Sequence, residues 1–216
     1  MLTATQLEKS YGALQVLKGI DLTIKEKEIV SIVGASGAGK STLLHLLGTL
    51  DQPDRGAVTI NGVDCSALSS RKLAKFRNQT IGFVFQFHNL LPEFNAWENV
   101  AIPGYMSQTK SSEVTQRAKF LLEKMGLTDR MEHKPSELSG GEQQRVSVAR
   151  ALINQPAIIF ADEPSGNLDS KRAGELHELF FSLRDEFNQT FVIVTHNQEL
   201  ADQADRKLEI IDGKIS

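Results

Sequence analysis

The stretch Ile29-Val30-Ser31-Ile32-Val33-Gly34-Ala35-Ser36-Gly37-Ala38-Gly39-Lys40-Ser41-Thr42 constrains the fold more than any other part of the chain. Ile29 to Val33 is a short apolar, β-branched run and reads as a buried strand. Gly34, Gly39, Lys40 and Ser41 then satisfy G-x-x-x-x-G-K-[ST], with Gly37 as a third glycine inside the loop. Glycines let the backbone turn its N–H groups inward around an anion, where a Cβ would obstruct. Leu43, Leu44, Leu46 and Leu47 start a helix whose positive N-terminal end faces the same place. Lys40 adds a full charge for β- and γ-phosphates, and the Ser41 hydroxyl suits Mg²⁺. A plain strand–turn–helix would use the glycines but would have no need of Lys-Ser-Thr. The expected ligand is a nucleoside triphosphate with Mg²⁺.

The rest of the chain supplies the frame. Short alternating segments in residues 2–31 predict antiparallel strands, with a turn at Gly19. Tyr11, beside Gly12, either stacks on an adenine ring or fills a strand edge. Ala57–Ile60 and Ile81–Phe85 read as strands, with a basic helix over residues 66–77 between them. From Phe87 to about residue 155 the texture changes to helices, predicting an inserted helical subdomain within a single 1–216 domain. One is announced by Asn95 and Glu98 at capping-box spacing; another runs from Ser111 to Met125 and stops at Gly126. Parallel-sheet texture returns at Ala157–Ala161 and Phe191–Thr195, separated by a helical stripe, and Lys207–Ile211 is a last strand. The expected class is doubly wound α/β.

Composition removes several alternatives. With 216 residues and a net charge of −3, there is no general electrostatic drive toward nucleic acid. Cys65 is the single cysteine, so no internal disulfide forms, and the histidines lack metal-ligand spacing. The apolar runs are far too short to span a membrane and no signal pattern opens the chain, so a soluble cytoplasmic protein is expected, one without membrane insertion of its own.

Strand ends carry the remaining chemistry, because ligands of open parallel sheets sit beyond the carboxyl edge. Asp162 follows its strand and suits Mg²⁺; Glu163 is next and is the candidate base for an attacking water. His196 ends another strand, where it is either structural or a partner of Glu163 and the γ-phosphate. Gln86 offers an amide oxygen to metal or water. A second anion site lies at Ser139-Gly140-Gly141-Glu142, where Ser139 caps a helix and two glycines expose N–H groups. Spacing alone does not bring it to the glycine loop.

Leu138-Ser139-Gly140-Gly141-Glu142-Gln143 resembles the signature motif of ATP-binding cassette (ABC) ATPases. Tyr11, Gly34–Ser41, Gln86, Asp162-Glu163, Asn167-Leu168-Asp169-Ser170 and His196 fall in that family's order, over essentially the whole chain. The resemblance implies ATP hydrolysis in a head-to-tail homodimer. In it Ser139 and Gly141 of one chain complete the other's site, and Asp169 lies at the interface. Phe85-Gln86-Phe87-His88-Asn89-Leu90-Leu91-Pro92-Glu93-Phe94 with Trp97-Glu98-Asn99-Val100 is similar to the ATPases of lipoprotein-releasing transporters. That implies integral membrane subunits contacting the Gln86–Trp97 region and a peripheral place on the cytoplasmic face of the inner membrane. Phe87, Leu90, Leu91, Phe94 and Trp97 form either a groove for a partner's helix or the subdomain core. A macrolide-exporter-like or cell-division ABC complex, an ATP-driven mechanical or regulatory switch, remains the alternative. A P-loop kinase would need a phosphoacceptor pocket and a lid in place of the second anion site.

Overall fold

In the computed structural model, which describes residues 1–107 and 109–216, strands β1 (Leu2–Tyr11) and β2 (Leu14–Ile24) form a long antiparallel ribbon. Strand β3 (Ile29–Gly34) runs into the glycine loop and helix α1 (Lys40–Leu47). Strands β4 (Arg55–Ile60) and β5 (Val63–Asp64) return to the ribbon, giving a four-stranded sheet in the order β2-β1-β4-β5. Helix α2 (Ser70–Thr80) leads into β6 (Ile81–Phe85). Then come α3 (Ala96–Tyr105), α4 (Ser111–Lys124) and α5 (Gly140–Leu152). Among the described residues no strand interrupts these three helices. The chain closes with β7 (Ile158–Asp162), α6 (Ser170–Phe187), β8 (Thr190–Val194), α7 (Gln198–Gln203), β9 (Arg206–Ile211) and β10 (Lys214–Ile215). A six-stranded sheet, β10-β9-β3-β8-β7-β6, is parallel at every pair except β10–β9.

Parallel strands need crossovers, and the crossovers cover both faces with helices or with the second sheet. The period-2 alternation of each strand therefore sorts its side chains into two separate interiors. Val30, Ile32, Phe160, Val192 and Val194 pack with α1 and the antiparallel sheet. Ile29, Ile159, Ala161, Phe191 and Ile193 pack with α3, α4, α5 and α6. The doubly wound expectation holds, with that antiparallel sheet taking the place of helices over much of one face.

Four local expectations are corrected. Lys207–Ile211 is not the last strand, because the chain turns after β9 and pairs the short β10 back against it. Gly19 is not a turn: it lies inside β2 at φ 79°, at a register shift between the pairs Leu7–Ile20 and Glu8–Lys18. A bulge uses glycine for the same positive φ that a turn would, so the two look alike in sequence. The basic helix starts at Ser70 instead of residue 66, because Asp64 accepts from Ser66 N and folds Cys65–Ala67 into a separate 3₁₀ turn. Asp162 is the last residue of its strand, paired with Phe85 and Val194, and does not follow it.

The end of α1 is strained. Thr49 follows the helix at φ 59°, a left-handed conformation costly for a β-branched residue, and its Oγ1 is buried with no hydrogen-bond partner. Its carbonyl accepts from Arg77 Nη1 at 2.7 Å, which fixes the backbone there. Thr49→Gly removes the strain and the orphaned hydroxyl while keeping that bond. It is expected to stabilise the protein by roughly 1 kcal/mol, seen as a higher urea midpoint with an unchanged slope.

Candidate functional site

The glycine loop takes its shape from its neighbours. Gly34, Gly37 and Gly39 all have positive φ, at 151°, 79° and 103°. A Cβ at Gly34 would sit 2.4 Å from Ile210 O, across the β3–β9 pairing. Gly39 is the left-handed N-cap of α1 and brings no side-chain cap, so the helix's first N–H groups are left to an external acceptor. Lys40 is buried, and its Nζ donates to Gly34 O and Ala35 O, both at 2.9 Å. An ammonium has three donors, so one is left to point at an anion.

Ser41 Oγ donates to Asp162 Oδ1 at 3.2 Å, which joins the loop to the end of β7. Among the described residues no group of three His, Cys, Asp or Glu side chains is placed to hold a metal. One hydroxyl and one carboxylate fit an ion that takes its remaining ligands from phosphate and water, which is the habit of Mg²⁺.

Glu163, one residue on, has φ 46° and donates its N–H to Val194 O at 2.9 Å. Its Oε2 accepts from His196 N at 3.1 Å. His196 Nε2 lies 3.1 Å from Oε1, within ion-pair reach but outside hydrogen-bond geometry, so Oε1 is a buried acceptor with no donor. Burial pushes the Glu163 carboxyl above its ordinary range; His196 opposes this and the Asp162 charge adds to it. A raised carboxyl with a bare oxygen, on the edge that carries the phosphate loop, is equipped to take a proton from water.

Gln86 follows β6 at the same edge. It is held in both directions, its Nε2 donating to Asn167 Oδ1 at 3.0 Å and Asn167 Nδ2 donating to Gln86 O at 3.2 Å. Its Oε1 stays available. Tyr11 ends β1 with a half-exposed ring and donates its hydroxyl to Asp51 Oδ2 at 2.9 Å, with Lys9 Nζ 5.3 Å from the ring centroid. Burial and the Asp51 contact raise the phenol above its ordinary pKa, and the ring remains half exposed.

Ser139 caps α5 in a full capping box: Oγ accepts from Glu142 N at 3.4 Å and Ser139 N donates to Glu142 Oε2 at 2.7 Å. The Glu142 carboxylate also pairs with Arg130 Nε at 3.2 Å, and the backbone bond from Ser139 holds it below the usual range. The geometry thus gives Glu142 the work of building the cap. Ser139 and Gly141 line a cavity of about 220 Å³, whereas Ala35, Ser36, Gly37 and Ala38 line another of about 360 Å³ that shares no residue with it. The two surfaces expected to bind anions are therefore separate on one chain. Asp169 caps α6 by accepting from Arg172 N at 3.0 Å and remains exposed.

Sequence reasoning missed the residues that fasten the Gln86–Trp97 segment. Asn99, fully buried, donates to Leu91 O, Phe94 O and Asn95 O and accepts from Leu91 N. His88 Nε2 donates to Gly140 O at 2.8 Å, and Arg150 donates to His88 O and Asn89 O, both at 2.7 Å. Gln144 Nε2 reaches Phe85 O at 3.3 Å. Their partners are mostly backbone carbonyls, which leave no trace in side-chain spacing. Of the large apolar side chains in the segment, Phe87, Leu91 and Phe94 are 68, 44 and 40% exposed, while Leu90 and Trp97 pack on the core. Leu90 and Trp97 thus take the subdomain-core role, while Phe87, Leu91 and Phe94 lie at the surface.

A family model described as ABC transporter matches residues 17–166. The chain belongs to the ABC transporter family. It is 60% identical over 215 residues to the lipoprotein-releasing system ATP-binding protein LolD of Cytophaga hutchinsonii, covering 100% of this chain and 98% of that one. It is 59% identical to the protein of the same name from Bacteroides thetaiotaomicron, covering 100% and 99%. The dimeric ATP-binding cassette MJ0796, solved in a post-hydrolysis state with ADP and Pi, superimposes with a TM-score of 0.90 at 40% identity, covering 100% of this chain and 97% of that one. Membership of the ABC family makes this chain an ATPase with the expected α/β fold. Among the described residues no helix of this ABC ATPase is long and apolar enough to cross a membrane.

Proposed function

We propose that this ABC ATPase powers release of lipoproteins from a bacterial inner membrane, as the ATP-binding subunit of a complex whose other subunits span the bilayer. Relatives named for that system at about 60% identity and full length are the observation that carries the reading. The exposed Phe87, Leu91 and Phe94 beside the pinned Gln86 support a membrane-subunit contact there. The protein then sits on the cytoplasmic face, peripheral through those subunits.

The whole chain acts as one ATP-binding domain, with the helices between β6 and β7 as its inserted subdomain. Gly34, Ala35, Ser36, Gly37, Ala38, Gly39 and Thr42 bind the phosphates through backbone and hydroxyl groups, and Lys40 neutralises the β- and γ-phosphates. Ser41 and Asp162, with Gln86, hold Mg²⁺, which when bound supplies charge neutralisation on the phosphate oxygens. Tyr11 stacks on the base. Glu163 takes the proton from the attacking water, oriented by His196. Two separate anion surfaces on one chain support a head-to-tail pair, in which Ser139, Gly140, Gly141 and Glu142 of one copy close over the nucleotide of the other.

Tagged Glu163→Gln protein, loaded with ATP and recovered from native membranes, is expected to carry membrane subunits with few spans, a large extracytoplasmic domain and bound lipoprotein. Recovery of a division-type membrane protein, or of soluble partners alone, sinks lipoprotein release in favour of the mechanical switch.

A further inference from the structure

We propose that His177 is a positioning residue for hydrolysis, which through Ser165 pins the Glu163–Asp169 loop in the conformation that aims Glu163 and Gln86. The proposal rests on the reading of Glu163 as the base.

His177 lies in the middle of α6 and is 3% exposed. Its helix neighbours Leu176 and Phe180 belong to the apolar core of that side. An imidazole in such a place is costly unless its polar atoms are used. Its Nε2 lies 3.1 Å from Ser165 Oγ, and Ser165 is itself buried. Desolvation lowers the imidazole's pKa, partly offset by Glu199 on α7, so the neutral ring can exchange one hydrogen bond with a hydroxyl without burying a charge.

Ser165 is two residues from Glu163, whose left-handed φ persists only while the surroundings hold it. The loop's own bonds, Gly166 N to Glu163 O at 3.0 Å and Leu168 N to Ser165 O at 3.1 Å, close it on itself. Asn167 then clasps Gln86 in both directions. The serine–histidine bond ties this unit to the body of α6, adding a buried tether for the loop to the bonds that Glu163 makes with Val194 O and His196 N.

The test is steady-state ATPase kinetics of His177→Phe, His177→Gln, Ser165→Ala and the Ser165→Ala/His177→Phe double variant, with Glu163→Gln alongside. Losing one buried neutral hydrogen bond is expected to lower kcat roughly 3–10-fold, with KM for ATP held within about twofold because ATP binding is untouched. His177→Gln, whose amide can reach the Ser165 hydroxyl, is expected to recover most of the loss. The double variant should fall no further than the larger single loss. Ser165→Ala leaves the core volume intact and reports even if His177→Phe does not fold. Wild-type kcat in Ser165→Ala, additive losses, or equal losses in the Gln and Phe variants overturn the proposal. Wild-type turnover in Glu163→Gln overturns instead the assignment on which it rests.

Discussion

Glu163→Gln is expected to bind ATP and to lose roughly 10²–10⁴-fold in turnover, the usual worth of a positioned base. The amide keeps the size of the side chain, and its oxygen can still accept from His196 N as Oε2 does. What it cannot do is take a proton. Single-turnover phosphate release against nucleotide binding separates the two, and unchanged turnover would remove Glu163 from its role. The same change carries a stability signature with a defined sign. Burial raises the folded-state carboxyl above its unfolded value, so the unfolded chain ionises first and the folded carboxylate is penalised. The penalty is absent below the unfolded pKa and grows as pH rises through the folded one. Glu163→Gln should therefore unfold at higher urea than the unaltered protein at neutral pH, with the gap closing toward acid pH. In the unaltered protein kcat should decline with acidification at a pH above the ordinary carboxylate range.

Gly34→Ala is expected to cost roughly 2–6 kcal/mol, combining overpacking against backbone with left-handed strain. The new Cβ would lie 2.4 Å from Ile210 O, and neither strand can yield because Gly34 and Ile210 are paired in the sheet. Gly37→Ala is the matched control: it has positive φ but nothing within 4 Å, so it should cost only about 1 kcal/mol. Urea unfolding of the two variants, with ATP binding measured on whatever remains folded, checks the contrast. Equal costs would mean that the approach of β9 does not shape the loop.

Much of this was legible before any coordinates. The parallel strands were readable because burial on both faces demands unbroken apolar runs such as Ile158–Ala161. The convergence of Gly34, Gln86, Glu163 and His196 followed from the rule that parallel strands deliver their ligands at one edge. Gly19 was misread because turns and bulges ask the same thing of glycine, and the start of α2 was displaced because Asp64 supplies a cap at the 3₁₀ turn just ahead of it. Asn99, His88 and Arg150 stayed hidden because they bond carbonyls of a segment distant in sequence or irregular in shape. His177 was lost in a helical stripe, where an isolated histidine between Leu176 and Phe180 gives no periodic signal.

The large sheet acts as a bulkhead. The apolar residues on its two faces belong to separate clusters with no buried member in common, so a change of volume in one compartment meets the other only through a hydrogen-bonded wall. Costs of substitutions across that wall should add, as they do for sites without shared partners. On the helical side the exposed Phe87, Leu91 and Phe94 are thereby free to change in shape and chemistry without disturbing the other compartment. A lineage could refit that side to a different membrane partner one residue at a time, while the compartment that shapes the phosphate loop stays as it is.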